Sequence, residues 1–261
     1  MSTHVLRQHG SPASRRARSA TSPARPNRAV SRWAIVSASL SPIVGIGGWL
    51  VADALQPASY SPMRDTVSQL AGQTGADRWV MTAALFLAGG CYLLTAASLA
   101  GVRRRARGLL IIAGVAVIGI ATSPEPASGP TARHLAWTVL GAITITVWPV
   151  FVARRGPARP RILGVTGSVA VTVVFVTLLA WFFAEAQGGS MLGLAERVTT
   201  SVEASWPLVV TVAMRRGARR TRLDPRDQAG SASPGGPWAA PSGEHGAAPA
   251  GSESRLDPVT R

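Results

Sequence analysis

At 261 residues, 47% hydrophobic and only 15% charged, the chain has length enough for one or two soluble domains, but its apolar residues are gathered in blocks with the charges between them. That segregation excludes an ordinary soluble core. The net charge of +15 rests on 27 basic residues, all of them Arg and clustered at block ends, a placement that argues for membrane topology and against nucleic-acid binding.

Residues 1–32 carry Arg7, Arg15, Arg16, Arg18, Arg25, Arg28 and Arg32 among Ser, Ala and Pro. With almost nothing to bury, they are expected to form a disordered cytoplasmic tail. Ser14-Arg15-Arg16 and Ala52-Asp53-Ala54 resemble parts of an export signal, but the apolar run between them starts too late and is too long for a signal core. It is read as a retained anchor.

Six apolar blocks follow, at 33–55, 79–102, 108–123, 134–152, 162–184 and 198–214. A hydrocarbon core about 30 Å thick takes about 20 helical residues, and lipid offers backbone groups no partner, so each block predicts a spanning helix. The third and sixth are short and cross with Arg105, Arg107 and Arg215 snorkelling to the headgroups. The expected fold class is therefore an all-α membrane protein, a six-transmembrane-helix bundle over 33–214, with 215–261 a second disordered cytoplasmic tail.

Sidedness follows from the connections. Arg103, Arg104, Arg105 and Arg107 lie between the second and third blocks, Arg154, Arg155, Arg159 and Arg161 between the fourth and fifth, and Arg215, Arg216, Arg219, Arg220 and Arg222 after the sixth. The alternate connections hold only Arg64, Arg78, Arg133 and Arg197, which places both termini in the cytoplasm of a multi-pass plasma-membrane protein. The Arg clusters then meet anionic lipids; membrane lipids are the expected partners, and nucleic acid is not.

In the first block Ser37, Ser41 and Gly45 form a small-residue stripe, repeated in the fifth by Gly164, Ser168 and Thr172, as close helix packing requires. Pro42 and Pro149 are expected to bend their helices. Trp33, Trp49, Trp79, Trp137 and Trp148 fall near block ends, where interfacial anchors belong.

The first outer connection, residues 60–72, is polar yet patterned. Pro57 and Pro62 stop regular structure, and residues 65–70 allow one or two helical turns with Val67 and Leu70 on one side. Asp65 either caps that helix or, with Ser68 and Gln69, points back into the bundle. The lone Cys91 stands beside Gly89 and Gly90 as a small packing residue. The second outer loop, stiffened by Pro124, Pro126 and Pro130, delivers Arg133 and His134 to the fourth block. His134, Thr138 and Gly141 fall on one helical stripe, so the His is turned inward as a hydrogen-bonded group or, on a functional reading, as a base.

The last outer connection runs through Glu185, Gly188 and Gly189 to Gly193-Leu194-Ala195-Glu196-Arg197. Glu196, Thr200, Glu203 and Pro207 share a face, which carries the Glu203 carboxylate about two turns into the bilayer. It either snorkels outward or is paired inside, with Arg197, Arg133, Arg64 and His134 as candidate partners.

Tyr60 with Asp65, Ser68 and Leu70, His134 opening the fourth block, and Gly193-Leu194 with Glu196-Arg197 before the last resemble a bacterial integral membrane family labelled domain of unknown function 998. The resemblance covers about 33–214 and implies a six-helix membrane bundle; it carries over no catalytic residue and no cofactor.

No phosphate loop, zinc-spaced cluster or nucleophile elbow appears in the sequence. Neither a metal nor a cofactor is therefore expected. The favoured reading is a non-enzymatic membrane protein whose outer-face cluster of Asp65, Ser68, His134, Glu196, Arg197 and Glu203 staples the bundle and binds a lipid headgroup or small ligand. Two alternatives are a metal-assisted or general-base lipid hydrolase using Asp65, His134 and Glu196 or Glu203, and a proton-coupled transporter using Glu203.

Overall fold

A computed structural model describes residues 30–154 and 160–223. Residues 1–29 and 224–261 of the tails expected to be disordered fall outside the described residues, as does most of the Arg154 to Arg161 link, whereas 215–223, expected to be disordered, are helical. The described chain is helical without strands: α1 (Arg32–Ala54), α2 (Val67–Leu70), α3 (Trp79–Ser98), α4 (Arg104–Ala121), α5 (Ala132–Val152), α6 (Val165–Glu185) and α7 (Leu192–Leu223), with a 3-10 turn at Arg161–Leu163 before α6.

Several helix starts have a local cause. Ser31 caps α1 by accepting from the Trp33 N–H, and Thr131, after Pro130, caps α5 by accepting from the His134 N–H. Gly188, at φ 110°, turns the chain where a side chain would be strained, before α7 begins. α7 also runs past Met214 to Leu223, further than the apolar run that predicted it.

Four helices, α1, α3, α5 and α6, are long and apolar enough to cross a membrane. α4 begins in Arg104, Arg105 and Arg107, and α7 carries Glu196, Arg197 and Glu203, so neither is apolar throughout. Outward faces point the same way: Trp33, Ile43 and Val51 on α1 and Val169, Val173 and Val176 on α6 stand exposed, a surface suited to hydrocarbon rather than water. The protein is membrane-embedded.

The six long helices form a ring in chain order, each packed on the next, and α7 closes it against α1. Glycines permit two of these contacts. A Cβ on Gly48 would strike Ala84 of α3, and one on Gly114 of α4 would lie 2.9 Å from the Gly89 carbonyl oxygen of α3. The small-residue stripe does similar work, with Ser37 hydrogen-bonded to Thr95 at 2.7 Å.

At the Arg-rich end the ring is filled by Leu99, Leu110, Trp148, Leu163, Phe175 and Val210. Trp148, expected as an interfacial anchor, is instead core: it is 1% exposed and donates to the Ala106 carbonyl at 2.8 Å. Trp33 and Trp79 are exposed, as anchors should be. At the opposite end, the rim, the buried cluster is Ala52, Val67, Leu70, Ala71, Met81 and Ala84, and α2 lies across the mouth.

Candidate functional site

The rim is built around Arg197. Five residues after α7 begins, it is 5% exposed, and its guanidinium is spent entirely on neighbours. Nη2 donates to Asp53 Oδ1 at 2.7 Å and to the Tyr60 hydroxyl, and Nε to Asp53 Oδ2 at 3.3 Å. Nη1 donates to the carbonyls of Pro62, Asp65 and Gly193 at 2.8 to 3.0 Å. The Trp49 ring lies beneath the cation, 5.5 Å from its centroid. Only Arg offers a planar fork of five donors that can grip a carboxylate and a loop backbone together.

Tyr60 closes the arrangement by donating to Asp53 Oδ1 at 2.8 Å. Burial, helped by the Asp53 carboxylate, raises its phenol pKa, so it stays a neutral donor.

Glu196, the preceding residue, holds α2. Its Oε2 accepts from the Val67 N–H at 2.6 Å and its Oε1 from the Ser68 hydroxyl at 3.2 Å. A carboxylate from another helix thus satisfies the first turn of α2, alongside Thr66, whose hydroxyl accepts from Gln69 N–H. Asp65 is not the cap: its carboxylate accepts from Ser61 N–H at 2.7 Å and tightens the turn before the helix. Of the residues that could point back into the bundle, Ser68 reaches into the rim, whereas Gln69 is exposed.

The loop sits this close because residue 193 is Gly. A Cβ there would collide with the Asp65 carbonyl oxygen and come within 2.6 Å of that of Pro62, while Leu194 N–H donates to the Met63 carbonyl at 3.1 Å.

His134 is buried as the stripe predicted, but its bonds go to the adjacent loop. Nδ1 meets the Ser123 carbonyl at 2.7 Å and Nε2 meets Glu125 Oε1 at 3.3 Å. The same loop accepts from Gln73 N–H through the Glu125 carbonyl at 2.7 Å, so it braces the α1–α3 connection from the other side. Burial pushes the Glu125 carboxyl above the usual range, and His134 pulls the other way.

Glu203, two turns deeper, is 4% exposed and accepts from Thr146 of α5 at 2.7 Å. None of the four cations named as candidate partners is its ion-pair partner; Arg197 pairs with Asp53. Glu203 and Glu196 border a cavity of about 180 Å³ inside the ring, with Ser41, Trp49, Tyr92 and Ser201 also in its wall.

The structure therefore gathers Asp65, Ser68, Glu196 and Arg197 in one network, sets Glu203 beneath it and gives His134 a separate pair. Among the described residues, no three His, Cys, Asp or Glu side chains converge as a metal site would need. Sequence reasoning passed over Asp53, Glu125 and Thr146 and read Trp49 as an anchor. Asp53 had a signal, an acid closing an apolar run opposite a lone outer Arg; Thr146 had none beyond a hydroxyl in mid-span.

A family model described as protein of unknown function (DUF998) matches residues 35–213, most of the described bundle. The chain belongs to this family. The DUF998 match takes in every residue of the rim network and the cavity, and ends within α7. No curated protein and no solved structure matches the chain.

Proposed function

We propose that this DUF998 protein is a non-enzymatic, six-span protein of the plasma membrane, with both termini cytoplasmic, that holds a small ligand or lipid headgroup in the cavity under its rim. One observation carries the reading. The rim's polar groups are spent on one another, as in a structural clasp, whereas the Glu203 carboxylate below borders open space.

The orientation rests on the Arg clusters, which lie at the end of the ring away from the rim. α4 and α7 complete the six spans by running beside the four apolar helices. A reporter fused within residues 155–159 reads the cytoplasm and one within 123–131 the outside; the reverse pattern removes the orientation. A hydrolase is less favoured because His134 and Asp65 are each held by separate neighbours. A transporter is less favoured because Leu99, Trp148 and Val210 close-pack the Arg-rich end.

The decisive experiment compares extracts of purified wild type and Ala142→Trp, which fills the cavity. A small molecule or lipid is expected with the wild type at near-equal amounts and to be depleted from the variant, by mass spectrometry. Identical extracts from two well-folded proteins sink the proposal.

A further inference from the structure

The cavity shares a wall with a second hollow. An open groove of about 560 Å³ on the flank of the bundle is lined by Ile46 of α1, Val171, Val174 and Phe175 of α6, and Val202 and Trp206 of α7. Ile46 and Ser201 line both spaces. Neither is charged, and the groove on the far side of this shared wall is lined mainly by apolar side chains, which suits hydrocarbon rather than water.

Inside, polar groups are few and incompletely matched. Ser41 is 1% exposed, and its hydroxyl lies beside that of Tyr92 in the cavity wall. The Ser201 hydroxyl is buried without a partner. Among the described residues Arg197 is ion-paired to Asp53 and His134 contacts Glu125, so neither is a counter-ion to Glu203. An intramembrane acid is costly unless a cation or hydrogen-bond donors meet it.

We propose that this cavity binds a primary alkylammonium group, with Glu203 as its counter-ion, Thr146 holding that carboxylate, and the alkyl part leaving past Ile46 and Ser201 into the groove. This rests on the reading of the cavity as a ligand site and names the ligand's chemistry. An ammonium has three donors and no acceptor, which suits the Glu203 carboxylate, the Ser201 hydroxyl lacking a partner and the acceptor lone pairs of the Ser41 hydroxyl in the same wall. The cavity lining holds two acids, Glu196 and Glu203, and no basic side chain, which disfavours an anionic head. A cavity of about 150 Å³ accommodates benzene, so 180 Å³ takes the head and roughly six carbons. Free amines and the ammonium of an ethanolamine lipid headgroup share this chemistry.

The test uses the full chain in phosphatidylcholine nanodiscs, titrated at neutral pH with hexylamine hydrochloride and with 1-hexanol, against empty discs. Wild type is expected to bind the amine about tenfold or more tighter than the alcohol, and Glu203→Gln to erase that preference while keeping the alcohol's affinity. Equal affinities in the wild type, or amine binding that survives Glu203→Gln, overturn the ammonium assignment and leave the cavity reading standing. Binding of neither compound overturns both. Should Glu203→Gln fail to fold, Ser201→Phe, which plugs the partition, must slow or abolish amine binding, and unaltered binding counts against the site. With the site upheld, phosphatidylethanolamine added to the discs distinguishes the sources: weaker hexylamine binding assigns the headgroup, unchanged binding the free amine.

Discussion

At the Arg-rich end the helices meet through Leu99, Leu110, Trp148, Leu163 and Val210, each at most 2% exposed, whereas half of the rim's buried apolar cluster is Ala. The first end is held by interdigitated volume. The second is held by hydrogen bonds that reach from α7 to loop carbonyls, a backbone N–H and one carboxylate. Dense packing leaves no room for a ligand, while polar bonds can fix a roof at a distance and leave space beneath it. That difference explains why the cavity lies under the rim and not at the other end.

The comparison breaks most sharply at Arg197. Arg197→Met keeps bulk but strands the buried Asp53 carboxylate and unbinds two loop carbonyls and that of Gly193, a loss expected at about 3–5 kcal/mol. Leu110→Ala, in the packed end, is expected to cost about 3 kcal/mol through the void it leaves. Hydrogen exchange in detergent separates the two mechanisms. Arg197→Met should free the amides of residues 60–72 selectively, while Leu110→Ala should lower protection across the ring and leave that loop no worse than its surroundings. A loop that stays protected in Arg197→Met means the clasp does not hold the roof.

Much of the fold could be read from the chain because lipid demands contiguous apolar length, and each of the six blocks reappears as a long helix with ends shifted by only a few residues, apart from the longer α7. The short helix was legible too, since Val67 and Leu70 fall on one side and are both buried. The site was legible as a set of residues and not as a set of pairs. Arg197 lies 144 positions from Asp53, and Glu196 lies 129 from Val67; no spacing rule links residues that meet only when α7 closes the ring on α1. Trp148 misled because nearness to a block end carries no information on which way the ring faces, and its N–H found the Ala106 carbonyl inside.

The smallest expected effect concerns the rim's other brace, where Glu125 meets His134. Ser123 offers Nδ1 only a carbonyl, so Nδ1 must donate, and Nε2 faces the Glu125 carboxyl at 3.3 Å. Burial raises the Glu125 pKa, with His134 opposing, so the folded chain holds the carboxyl proton more tightly than the unfolded chain does. Stability from this group is therefore fully present below the ordinary carboxyl value of about 4.5 and is lost as pH rises through the raised folded value. Glu125→Gln removes the titration and keeps the shape. Melting temperatures followed upward from acid pH should show the wild type losing ground to the variant. If the wild type instead gains on the variant, an ion pair with protonated His134 outweighs desolvation, and this side of the rim is fastened by charge like the Arg197 side.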